Sequence, residues 1–234
     1  MRSIVCRERC VLSRSLSIAA LPLILAAWAM AQTVPLSVHE VERLANGHTL
    51  ITEGGALNNL PPGAVFQVDQ AGRLVHHWEF RSLWTHSAEA IGAGAILVTD
   101  TNGDRVIEVA ANGQITWSSA TVSPFSDGST LDYPNDAKPL ASGNILICDR
   151  DRHRVFEIDH AGVVQWQFGV TGVAGADATH LRGPHNPERL ANGNTIICDS
   201  ENNRILEVSP GGAIVWSYQP IGPNALDWPR DADR

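Results

Sequence analysis

Three histidines, an asparagine and an arginine recur at one offset in this chain. Counting back eight residues from Gly47, Gly94, Gly143 and Gly193 gives His39, His86, Asn135 and His185. Arg230 stands in a matching segment, because Pro229-Arg230-Asp231-Ala232 parallels Pro134-Asn135-Asp136-Ala137. The residues that follow read Glu40, Ser87, Asp136, Asn186 and Asp231. Neutral imidazole is a good nucleophile near pH 7. A cationic neighbour can stabilise negative charge that develops on oxygen in a transition state. Three imidazoles could also hold a divalent ion. The bland reading is that these residues cap a channel mouth and hold ordered water. Every one of these readings requires the five positions to converge.

The elements that would converge them are written in the repeats. Pro184 to Trp216 reads as a four-stranded antiparallel sheet with its turns spelled out. Asn192-Gly193 is a tight turn, where a positive φ costs little. The β-branched run Thr195 to Asp199 follows, then a polar loop, then Arg204 to Val208. A turn at Pro210-Gly211-Gly212 leads to a last strand that carries Trp216. Pro134 to Trp166, His86 to Trp117 and His39 to Trp78 repeat the pattern. Trp117 and Trp166 are 49 residues apart, and Trp166 and Trp216 are 50 apart. Four strands per unit at this period mark an all-β chain of propeller blades. The blades fall near residues 39–80, 86–119, 134–168 and 184–219, and a fifth begins at 229–234. First strands are expected near Val41–Ala45, Ala88–Ile91, Ala137–Ala141 and Pro187–Ala191. First strands lie nearest a propeller's axis, so the His, His, Asn, His, Arg rung should line one channel mouth. The long segments Gly54 to Gly63, Ser118 to Tyr133, Gln167 to Gly183 and Ser217 to Trp228 should emerge on that same face. Long loops on a rigid scaffold commonly carry function.

Other positions repeat for structural reasons. Asp100/Arg105, Asp149/Arg154 and Asp199/Arg204 flank the loop between second and third strands, where they can pair. The repeated Trp is expected between blades. Cys148 and Cys198 hold equivalent places in neighbouring blades. Sheets pack about 10 Å apart, and a disulfide needs Cα atoms within about 7 Å. They are therefore expected to be buried thiols.

Residues 1–31 differ from the rest. Arg2, Arg7, Arg9 and Arg14 precede an apolar run from Leu16 to Ala29, and Ala29-Met30-Ala31 fits a cleavage site. This reads as a secretory signal peptide, which leaves a propeller domain over 32–234 in a secreted or periplasmic protein. No later segment is apolar enough to cross a bilayer. A net charge of −8 gives no electrostatic case for nucleic acid.

The run Leu190 to Val208, LANGNTIICDSENNRILEV, with Pro184-His185-Asn186 before it, resembles repeats of the arylsulfotransferase-type propellers and, more broadly, NHL-type repeats. That resemblance implies a six-bladed ring, of which about four blades are present, in a fragment of a longer protein. It implies sulfuryl transfer from an aryl sulfate to a phenol through an axial histidine, without a cofactor. His86 and His185 are the preferred nucleophiles, with His39 and Arg230 assisting. Asn135, Asp136, Asn186 and Asp231 would contact substrate. Asn135 departs from the pattern by standing where a histidine would. The alternatives are a lactonase- or lyase-like enzyme with a divalent metal at the axial histidines, or a non-catalytic scaffold that binds protein or glycan on the long-loop face.

Overall fold

A computed structural model describes residues 38–54, 64–78, 80–82 and 84–232. The expected signal peptide at 1–31 and the insertion at 55–63 lie outside them, as do residues 233–234. Among the described residues, sixteen strands form four antiparallel four-stranded sheets in meander order, which are the blades of a β-propeller. Blade one holds β1 (Val38–Arg43), β2 (Thr49–Glu53), β3 (Ala64–Val68) and β4 (Leu74–Trp78). Blade two holds β5 (Thr85–Gly92), β6 (Ala95–Asp100), β7 (Arg105–Val109) and β8 (Ile115–Ser118). Blade three holds β9 (Pro134–Pro139), β10 (Ile145–Asp149), β11 (Arg154–Ile158) and β12 (Val164–Phe168). Blade four holds β13 (Pro184–Arg189), β14 (Thr195–Asp199), β15 (Arg204–Val208) and β16 (Ile214–Tyr218). The only helical pieces among the described residues are 3₁₀ turns of three residues. None of their helices is long and apolar enough to cross a membrane.

Local chemistry explains the strands. Gly193 closes the β13–β14 turn with φ +86° and bonds back to the Leu190 carbonyl. That conformation strains any residue with a Cβ. β10 and β14 are buried on both faces, as their near-continuous apolar runs require. Blades pack through three apolar clusters. One joins Leu50, Val65 and Trp78 to Ile96, Val98 and Ile107. Another joins Leu97 and Val106 to Ile147 and Phe156, and the third joins Val155 and Phe168 to Ile197 and Leu206. Each buried side chain of this size contributes about 1.5–3 kcal/mol. The repeated Trp reaches across these joints: Trp78 Nε1 donates to the Gly94 carbonyl and Trp117 Nε1 to the His160 carbonyl, each at 3.1 Å.

The repeated Asp is a clamp with two grips. Asp100, Asp149 and Asp199 each accept an Arg Nε on one oxygen, at 2.9, 2.9 and 2.6 Å. The other oxygen accepts a backbone N–H from the segment that leads into the first strand: Trp84 at 3.0 Å, Asp132 at 2.9 Å and Arg182 at 2.7 Å. The clamp therefore fixes where each first strand begins. Cys148 and Cys198 are free and buried.

Two expectations need correction. The first strands start about three residues earlier than the hydrophobic pattern indicates, because polar residues open each of them. The rung residues lie inside these strands, at the second position, rather than before them. Pro229 to Ala232 forms no strand. It docks through single contacts that repeat an internal joint. Pro229 O accepts from Ser200 Oγ at 2.5 Å, as Pro134 O accepts from Thr101 Oγ1 at 2.6 Å.

Candidate functional site

Strand irregularity aims the rung. The ladder slips between Val38 and Glu40, and between Thr85 and Ser87, so His39 and His86 are the extra residues. It slips again between Pro134 and Asp136, which leaves Asn135 unpaired. A bulged residue turns its side chain away from the regular alternation. In blade four the slip falls at Asn186 and Pro187, and Asn186 takes φ +34°.

The rung residues meet. The His39 and His86 rings lie 4.9 Å apart. His39 also stands edge-on to Trp84 at 5.2 Å, and His185 to Trp228 at 6.3 Å. Gly54 sits under the His39–Trp84 pair, where a Cβ would come within 3 Å of both side chains. All three histidines titrate low. Burial lowers His39, and the Arg230 charge adds to it. Burial, then His39, His185 and Arg230, lower His86 to about 3. Burial lowers His185 to about 4, with Arg150 and Arg230 contributing and the Gly183 carbonyl opposing. The mouth therefore holds three neutral imidazoles beside the Arg230 guanidinium, with that of Arg150 near His185. Neutral imidazole offers the lone pair that a base or nucleophile needs.

His185 has a fixed tautomer. Its Nδ1 lies 3.2 Å from the Gly183 carbonyl, which can only accept. The same nitrogen lies 3.0 Å from Ser200 Oγ, whose single proton goes to Pro229 O. Nδ1 must then carry the hydrogen, and Nε2 the lone pair.

Below the rung, a cavity of about 580 Å³ runs between β1 and β13. His39, Glu40, Glu42, Glu89, Lys138, Asn186, Glu188, Arg230 and Asp231 line it. Its floor was missed in the sequence. Glu42, Glu89, Lys138 and Glu188 all stand three residues after the rung position, and a lone lysine among glutamates was the available signal. Lys138 Nζ bonds Glu89, meets Glu40 at 3.1 Å and lies 3.6 Å from Asp136. Burial opposes the Lys138 charge, but Asp136, Glu40 and Glu89 outweigh it and hold the ammonium above its usual range. Burial raises Glu89 to about 7 despite Lys138, and raises Asp136 and Glu40 as well. One ammonium among three carboxylates leaves negative charge that protons neutralise most cheaply. Carboxylate atoms of Glu40, Glu89 and Asp136 lie within 4.8 Å of one another, a spacing that could hold a cation. Lys138 already occupies that position.

The structure distributes the expected site residues unevenly. His39, Asn186, Arg230 and Asp231 line the cavity, and His86 is half-buried beside His39. His185 is only 4% exposed. Asn135 and Asp136 have no exposed surface, so they support the wall from behind. Asn135 Nδ2 reaches the Pro184 carbonyl at 3.2 Å, while its Oδ1 is buried without a partner.

No protein-family model and no curated protein matches the chain. Solved propellers do. A protein of unknown function from Bacteroides caccae superposes with TM-score 0.60 at 18% identity, over 78% of this chain and 66% of its own. A virginiamycin B lyase from Staphylococcus aureus gives 0.53 at 14% identity, over 80% and 57%. An auxiliary nutrient binding protein from Bacteroides ovatus gives 0.59 at 13%, over 83% and 50%. The chain thus spans half to two thirds of these structures. At such identities the likeness defines the class, a β-propeller, and leaves activity open.

Proposed function

We propose that the axial mouth is a small-molecule site for lyase-type chemistry, with a neutral histidine as general base and Arg230 as the charge stabiliser. The single observation that carries this reading is the gathering of His39, His86 and His185 from three blades around Arg230. His39 lines the cavity and is the preferred base. It would take the proton on carbon next to a carbonyl, the freed electron pair would form a carbon–carbon double bond, and the bond to the leaving oxygen would break. Arg230 would stabilise the negative charge that develops on the carbonyl oxygen. The lower-wall carboxyls of Glu40, Glu42, Glu89 and Glu188 outnumber its cations Arg43 and Lys138, and burial favours the protonated forms of Glu40, Glu42 and Glu89, so the wall suits a neutral ligand better than an anion. The propeller neighbours include a virginiamycin B lyase, which supports the lyase-type reaction class.

Sulfuryl transfer through a histidine is the second reading. The juxtaposition of neutral imidazole and guanidinium favours it, and the acidic wall opposes it. Export to the periplasm or outside would suit either activity. The test is turnover of virginiamycin B and, separately, of an aryl sulfate, with His39→Gln, His86→Gln, His185→Gln and Arg230→Ala. Loss of about 100-fold or more in His39→Gln is expected. Full rates in all three histidine variants would leave a binding scaffold as the surviving reading.

A further inference from the structure

We infer that Ser200 is a positioning residue that ties the His185 tautomer to the placement of Arg230. Ser200 is fully buried in the 3₁₀ turn after β14. Its hydroxyl lies 3.0 Å from His185 Nδ1 and 2.5 Å from Pro229 O. Pro229 accepts, so Ser200 donates there and accepts from His185. One hydroxyl thus completes a chain from the imidazole N–H to the backbone that carries Arg230. The Trp228 N–H, one residue before Pro229, donates to Asn203 Oδ1 at 2.8 Å and pins the other side of the segment.

The joint between blades two and three shows what is added. There Thr101 Oγ1 donates to Pro134 O at 2.6 Å and the Tyr133 N–H donates to Asp104 Oδ1 at 2.8 Å. The docking is the same, but among the described residues no imidazole bonds the Thr101 hydroxyl. Blade four uses the docking hydroxyl a second time, as the acceptor that orients a ring. Loss of the hydroxyl should leave the longer Gly183 contact as the sole hold on the Nδ1 hydrogen, which admits a fraction of the other tautomer and loosens the Arg230 segment together. Charge from Arg230 reaches all three histidines, so its placement bears on the whole mouth.

The importance of this link for turnover rests on the lyase-type reading, whereas its structural test does not. Ring nitrogen shifts of His185 and amide exchange at Trp228 are measured on the full chain by NMR. Ser200→Ala should add the Nε2–H tautomer at His185 and speed Trp228 exchange by about tenfold. Ser200→Thr, which restores the hydroxyl type of Thr101, should return both to the original values. Thr101→Ala is the control: it should speed Tyr133 exchange and leave the His185 ring unmoved. A folded Ser200→Ala whose His185 shifts are unchanged overturns the proposal. So does a Thr101→Ala that moves the His185 ring equally, since that would be loosening without specific linkage. A shifted ring with no change in any turnover supports the link and counts against the catalytic reading alone.

Discussion

The Asp–Arg clamps and the axial rung are both repeat positions, and the molecule treats them in opposite ways. Asp149 and Arg154 are fully buried, and Arg154 reaches Asp149, Asp127, Gln167 and Thr171. The same residue types recur in blades two, three and four, and the same two grips hold the chain each time. The rung changes residue from blade to blade, sits on ladder slips in blades one to three and includes a buried amide oxygen with no partner. Sameness across blades marks a structural requirement. Difference at one rung marks a place where blades were free to diverge because the fold did not depend on them.

The sharpest way to break this comparison is at the clamp. Burial raises Asp149 to about 6, with Arg154 and the Asp132 amide opposing. Its charge is therefore tolerated only because Arg154 is there. Arg154→Met leaves that carboxyl stranded and should cost about 3–5 kcal/mol in urea unfolding. Replacing both partners, as Asp149→Leu with Arg154→Met, should cost less than the single change. A clamp variant of unaltered stability would erase the distinction between clamp and rung.

At the rung the expected pattern reverses. Arg230→Ala and His39→Gln should each cut turnover by about 100-fold or more, while stability moves by under about 1 kcal/mol. Measuring both quantities on the same protein is what counts. Equal losses of stability and rate would make the rung another structural layer.

The histidines also predict a pH dependence. His86 and His185 titrate near 3 and 4 when folded, below the ordinary 6.5. Their neutral forms are favoured by folding, so the full stability is present above pH 6.5 and is lost as pH falls toward 4. Each contributes a slope of up to about 1.4 kcal/mol per pH unit in that window. His86→Gln should flatten the fall, as followed by thermal unfolding between pH 4.5 and 7.5. A profile unchanged by that substitution would mean that His86 is not held neutral.

Much of this was legible in the sequence because turns and clamps are local. Gly47, Gly143 and Gly193 announce their turns through a requirement on φ, and Asp–Arg pairs announce themselves by a five-residue spacing. The second, third and fourth strands of blade four fall within a residue of their expected places. The starts of the first strands were hidden, because Pro134-Asn135-Asp136 and Pro184-His185-Asn186 look like loops. The clamp in the neighbouring loop holds the segment that leads into each of them. Lys138 was hidden for another reason. Its significance lies in Glu40 and Glu89, which are 98 and 49 residues away. Equivalent rungs could have been counted three residues deeper, but nothing in the local sequence ranks that rung above others.

The smallest effect belongs to Glu89, and it tests whether the cavity floor behaves like the clamp or like the rung. Burial lifts its carboxyl to about 7, with Lys138 opposing and Asp136 and Glu42 adding. A folded pKa above the ordinary 4.5 means that the folded state binds the proton more tightly. Stability from this group is therefore full below about pH 4.5 and is lost as pH rises through 7. Glu89→Gln imitates the protonated form at every pH. At pH 4, below the ordinary carboxyl value, it should be close to neutral in stability. At pH 8 it should gain on the parent by on the order of 1 kcal/mol, because Glu40 and Asp136 then share Lys138 without a third charge. The measurement is a pair of urea unfolding curves for both proteins. A gain confined to high pH would place the floor with the rung, as a region whose charges the fold tolerates rather than requires. A loss at both pH values would show that Glu89 serves Lys138 as Asp149 serves Arg154, and would move the floor to the structural side of the comparison.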